Sequence, residues 1–147
     1  MATCRKLRTL LIEEDAMIGG APADYGVQSF CGEPVCGIHL EIREELKKVD
    51  ACFNKTSAFH HYWFIHVVNE LMAKEKNLEV LTYTPVISAV MDKTGKTVKG
   101  IKVACGDILA DVIVDCTGDG DVAASAGCEF RYGRDDIRLF HNSNRSG

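Results

Sequence analysis

Hydrophobic and polar positions follow different periods in successive stretches of this chain. Leu7–Glu13 is a short apolar run closing on acid, the pattern of a buried strand. Asp15–Gly37 has no period and holds Gly19, Gly20, Gly26, Gly32 and Gly37 with Pro22 and Pro34, which predicts a long loop of the kind that is usually functional. Ile18, Tyr25, Val27, Phe30 and Val35 give that loop side chains to pack. Ile38, Ile42, Leu46, Val49 and Phe53 then recur at spacings of three and four, an apolar helical stripe. Its other face carries Glu41, Arg43, Glu44, Lys47, Lys48 and Asp50, with Glu44 four before Lys48 in the favourable order for a surface pair. After the polar break at Asn54–His61, Phe59, Tyr62, Trp63 and Phe64 form an aromatic knot, and Val67, Val68, Leu71 and Met72 mark a second helix.

From Leu78 the period falls to two. Val80–Tyr83, Val86–Met91, Val98–Ala104 and Ile108–Asp115 read as strands, separated by turns at Asp92–Lys96 and Cys105–Asp107. Asp111–Asp115 has the continuous apolar character of a strand buried in a parallel sheet, and a short helix, Val122–Ala126, follows and stops at Gly127. Helices preceding parallel strands predict an α/β fold. Leu7–Glu13, Val80–Tyr83 and Asp111–Asp115 are expected to be parallel neighbours, with an antiparallel β-meander inserted between the last two.

Composition narrows the function classes. Apolar residues make up 46% and charged residues 26%, an ordinary globular balance, and the net charge of -4 disfavours nucleic acid. No apolar stretch is long enough for a membrane helix, and Leu10–Ile12 is too short for the apolar region of a signal peptide. The seven cysteines show no C-x-x-C pair. The spacing favours reduced thiols over a Cys31–Cys36 dithiol, and so a cytoplasmic setting.

Three features bear on chemistry. Glu13 ends a buried strand, where the carboxyl edge of a doubly wound sheet receives ligands, and a carboxylate there can accept from both hydroxyls of a ribose. Gly19 and Gly20 let backbone approach a ligand closely. Thr117, Gly118, Asp119, Gly120 and Asp121 form the turn from a buried strand into a helix, where free N–H groups favour an anion. Asp119 and Asp121 oppose a phosphate and suit hydroxyls, a cation or helix capping, and the stretch lacks the ligand pattern of a calcium loop. His60, His61 and His66 lie among aromatics and read as packing or surface residues, so no catalytic residue is assigned.

The run LLIEEDAMIGG resembles the second strand of the FAD-binding domain of glutathione-reductase-like flavoproteins. VIVDCTGDGDVAASAG resembles the motif by which that domain is re-entered in FAD-dependent oxidoreductases. GEPVCGIHLEIREEL and the run from HYWFIHVVNEL to GIKV resemble the segments between, so the similarity spans Thr9 to Gly133. The resemblance implies a partial FAD/NAD(P)-binding, Rossmann-like parallel sheet with an inserted meander over residues 1–133. It implies FAD as cofactor, with Glu13 on the adenosine ribose, Gly19 and Gly20 along the path toward the flavin, and Thr117, Gly118 and Asp119 beside the cofactor.

The family domain also has a G-x-G-x-x-G loop about 20 residues before the acid. Glu13 has twelve residues before it and none is glycine. The expectation is therefore a fragment of an FAD-dependent oxidoreductase, truncated at both ends, with a disordered tail at 134–147 and weak or absent FAD binding by itself. Its substrate is unassigned. Self-association through an incomplete sheet is expected, and the competing reading is a non-catalytic α/β protein that completes its sheet with a partner or a second copy.

Overall fold

The computed structural model describes residues 7–32, 36–53 and 58–130. The chain divides into two compact units, Met1–Val86 and Ile87–Gly147. Together they are α/β, with one parallel and one antiparallel sheet.

The first unit contains β1 (Thr9–Ile12), α1 (Ala21–Asp24), α2 (Gly37–Lys48), α3 (His61–Ala73) and β2 (Leu78–Leu81). β1 and β2 pair in parallel, with Thr9 opposite Leu78 and Ile12 opposite Leu81. The helices between them provide the crossover that a parallel pair requires. Leu46, Ala51, Phe59, Phe64 and Val67 form the core, and Phe30, Ile42, Val68 and Leu71 pack against it. The rings of Phe30, Phe59 and Phe64 meet at centroid distances of 4.6, 5.3 and 6.3 Å. Of the loop side chains expected to pack, Phe30 does so, Tyr25 is 81% exposed, and Val35 lies outside the described residues.

Two expectations for the helices are corrected. α3 begins at His61, so Tyr62, Trp63 and Phe64 are its first turn and not a knot preceding it. Packing decides this: Phe64 joins the core, while Tyr62 stays 75% exposed. α2 ends at Lys48 because Asp50 turns left-handed at φ 54°, with Asp50 N–H donating to Lys47 O and Ala51 N–H to Leu46 O. That is a Schellman closure without glycine, and it places Phe53 beyond the helix. The ion pairs on α2 join Lys47 to Glu44 and Lys48 to Glu45, both at 2.7 Å and three residues apart, in place of Glu44 with Lys48.

The second unit holds a three-stranded sheet in the order β3 (Val86–Met91), β4 (Val98–Val103), β5 (Gly106–Leu109), followed by α4 (Asp121–Ser125). The meander is thus present. Asp92 closes its first turn, accepting from the N–H groups of Thr94, Lys96 and Thr97 and from the Thr94 hydroxyl. These donors hold its carboxyl below the usual aspartate value, the Thr94 hydroxyl most strongly. Gly100 sits opposite Leu109, where a Cβ would collide with Ile108 O, so that strand position excludes any side chain.

The third parallel strand is not formed. Asp111–Asp115 belongs to no sheet, and Val112 and Val114 are 78% and 77% exposed. A parallel strand exists only through its neighbours' backbone groups. Among the described residues none pairs with this segment, so its apolar pattern alone does not make it a strand. The 134–147 stretch lies outside the described residues.

Candidate functional site

In the first unit the candidate residues cluster where β1 and β2 end. Backbone pairing runs past both strands: Glu13 N–H donates to Leu81 O at 2.9 Å, Thr84 N–H to Glu13 O at 2.9 Å and Tyr83 N–H to Asp15 O at 3.0 Å. The two post-strand loops are therefore fastened together. Glu13 Oε1 accepts a long bond of 3.3 Å from Asp15 N–H, and among the described residues Oε2 has no partner. Glu13 is half-buried. Asp24 on α1 is pushed above the ordinary carboxylate value by loss of solvation, then by the charges of Asp15 and Glu13. This end of the sheet is acid-rich.

The paired glycines divide in role. A Cβ on Gly19, whose φ is +141°, would lie 2.8 Å from Phe64 Cε1 and 3.1 Å from Ala23 Cβ. Phe64 fills the space that the missing side chain leaves, which gives Gly19 a packing reason. Gly20, at φ +58°, would meet nothing within 4 Å. Its carbonyl accepts from Ala23 and Asp24 N–H and starts α1.

Thr117, Gly118 and Asp119 lie in the second unit on the turn into α4. The turn is organised by Asp115. Its Oδ1 accepts from Thr117 N–H at 3.0 Å and the Thr117 hydroxyl at 2.7 Å, and its Oδ2 accepts from Ala123 N–H at 2.8 Å. Thr117 Oγ1 accepts in turn from Asp121 N–H at 2.8 Å. The Thr117 hydroxyl, then the Ala123 N–H, hold Asp115 below the usual carboxylate value. The N–H groups at the start of α4 are thus taken by the chain itself, and capping falls to Asp115 and Thr117, not to Asp119 or Asp121. Asp119 is exposed and makes no hydrogen bond among the described residues. A Cβ on Gly118 would meet nothing within 4 Å.

Two residues escape the sequence pattern. Asp115 reads as the end of an apolar strand, although an Asp two before a Thr is a local turn signal. Tyr83 reads as a strand end, yet it is 75% exposed and left-handed at φ 52°; nothing in the sequence announces that. The histidines take packing and surface contacts: His60 lies 4.3 Å from the Phe53 ring, His61 3.9 Å from Tyr62, and His66 5.5 Å from Trp63. Among the described residues the six cysteines are free thiols, no group of three His, Cys, Asp or Glu side chains is placed to hold a metal, and no helix is long and apolar enough to cross a membrane.

A parallel pair ending in acid, a meander, and a strand-like run turning through Thr-Gly-Asp-Gly-Asp into a helix point to one family. The family described as FAD dependent oxidoreductase matches residues 1–144. This chain belongs to the FAD dependent oxidoreductase family. No curated protein and no solved structure gives a significant match. For an FAD-dependent oxidoreductase the polar groups on the two turns are unevenly supplied. In the first unit carboxylate acceptors stand at Glu13, Asp15 and Asp24; in the second, Asp119 is a free acceptor among the described residues and the N–H donors at the start of α4 are already engaged.

Proposed function

We propose that this chain is part of an FAD-dependent oxidoreductase and supplies the adenosine end of its FAD site, with Glu13 accepting from the ribose hydroxyls. The family match over residues 1–144 carries the reading. The chemistry of Glu13 supports it: a half-buried carboxylate at the carboxyl end of a parallel strand, with Oε2 unpartnered among the described residues, matches a donor pair such as a ribose diol. In the first unit Gly20 leaves backbone uncovered; in the second, taken by itself, Gly118 does so too and Thr117 shapes the turn into α4. Asp119 beside it suits a hydroxyl.

The same residues do not fit a diphosphate. The 13 glycines include no G-x-G-x-x-G, the start of α4 is capped from within, and Glu13, Asp15 and Asp24 set a negative potential where β1 ends. A diphosphate would need N–H donors other than those that begin α4. When bound, FAD supplies the redox chemistry. This chain's residues bind and orient its adenosine. The Rossmann-like character of the parallel pair is part of the same reading.

Saturation-transfer NMR of the 147-residue chain with FAD tests the assignment. Transfer to the adenine and ribose protons exceeding that to the flavin methyl groups is expected. Stronger transfer to the flavin methyls would reject it. A second reading, that the chain is non-catalytic and completes its sheet with a partner or a second copy, draws on the exposure of Val112 and Val114.

A further inference from the structure

We propose that Tyr83 is the stacking platform for the adenine ring of the adenosine whose ribose Glu13 holds; the inference rests on the reading of Glu13 given above. Tyr83 is unusual on two counts. Its φ of 52° is a conformation that glycine adopts freely and that a side chain disfavours. Its side chain is also 75% exposed, so burial in the core does not account for a large aromatic there. Strained non-glycine residues concentrate at functional sites, and the inference runs from the observed outlier to the function.

The surroundings define what the ring would meet. Tyr83 N–H donates to Asp15 O and Thr84 N–H to Glu13 O, while the Thr84 hydroxyl donates to Thr82 O at 2.9 Å. The backbone of Tyr83 is thereby fixed to the loop that carries Glu13, at the carboxyl edge of the same parallel pair. A planar, uncharged ligand part suits an exposed aromatic, since every base offers a π face. An adenine ring also carries no negative charge into the field of Glu13, Asp15 and Asp24. Adenosine combines one flat uncharged ring with one hydroxyl pair, matching the two kinds of side chain carried by these fastened loops. The left-handed turn is what presents the ring, so the cost of a tyrosine at that φ is offset in the ligand-bound state.

The test is an NMR titration of the isotope-labelled 147-residue chain with adenosine and with 2′-deoxyadenosine. Adenosine is expected to shift the amide signals of Glu13, Asp15, Tyr83 and Thr84. Tyr83→Phe keeps the ring and should bind within about twofold of the parent, whereas Tyr83→Gly should weaken adenosine about fivefold or more, the loss typical of one stacked base. Glycine is at ease at this φ, so Tyr83→Gly should also raise the melting temperature, which separates lost stacking from lost folding. Equal adenosine affinity in Tyr83→Gly and the parent, or no shift at these four amides, would overturn the proposal. The two readings fail separately. If Tyr83→Gly weakens both nucleosides while the parent binds them equally, stacking stands and the ribose role of Glu13 falls. If Glu13→Gln abolishes the preference for adenosine and Tyr83→Gly changes nothing, the ribose role stands and stacking falls.

Discussion

Substituting Gly19 by alanine separates a glycine required by packing from one kept open for a ligand. The added Cβ would lie 2.8 Å from Phe64 Cε1 and 3.1 Å from Ala23 Cβ, and both of those residues are buried. Phe64 is buried and packs on both Phe59 and Phe30. Overpacking of this kind costs about 1–3 kcal/mol, and forcing an L-residue to φ +141° adds about 1–3 kcal/mol. The combined loss of about 2–6 kcal/mol is a large share of an ordinary domain's stability, roughly 5–15 kcal/mol. The single tryptophan, Trp63, precedes Phe64 on α3, so its fluorescence reports the unit concerned. With a urea dependence of about 1 kcal/mol per molar, the midpoint should fall by about 2 M or more. Gly118→Ala, which meets nothing within 4 Å, is the control and should stay within about 0.5 kcal/mol of the parent. Adding Phe64→Leu to Gly19→Ala should recover part of the loss. A Gly19→Ala chain that unfolds at the parent midpoint would refute the packing argument.

Asp115→Asn removes a carboxylate that caps α4 through Thr117 and Ala123, and should cost about 1 kcal/mol at neutral pH. Because the folded-state pKa of Asp115 is depressed, its contribution is present above the unfolded aspartate value and is lost as pH falls through the folded one. Thermal melts of parent and variant should therefore converge below about pH 4, and a constant gap down to pH 2 would exclude the mechanism. Self-association is expected of the chain alone, since Leu7, Ile87, Leu109, Val112, Val114 and Phe130 are all more than half exposed. Sedimentation velocity should show concentration-dependent species, and a sharp monomer peak at every concentration would contradict this.

What the sequence made legible was local. The i, i+3, i+4 stripe through Ile42 and Leu46 found α2, the alternation from Val86 to Val103 found the meander, and Gly127 marked the end of α4 to within a residue. The missed features depend on distant partners. Aromatic residues at 62–64 weaken the apolar period, so the start of α3 emerges only through Phe64 packing on Phe59. Asp111–Asp115 has strand composition, but composition supplies no neighbour to bond. Gly19 and Gly20 look alike in sequence, and only the position of Phe64 tells them apart. Glu13 falls at the carboxyl end of a parallel strand as its pattern implied, because an apolar run closing on acid is a local signal. Tyr83 takes its place from hydrogen bonds between two loops far apart in sequence.

The proposed division of labour in an FAD site is tested most directly by isothermal titration of the purified 147-residue chain with FAD. In the first unit Glu13 is proposed to offer acceptors to a ribose beside the charges of Asp15 and Asp24, and in the second the N–H groups that begin α4 are engaged by Thr117 and Asp115. A dissociation constant well above about 1 μM, or no measurable heat, is the predicted result. A value below about 1 μM, equivalent to roughly 8 kcal/mol of binding, would show that this chain holds the phosphates after all and would contradict the account.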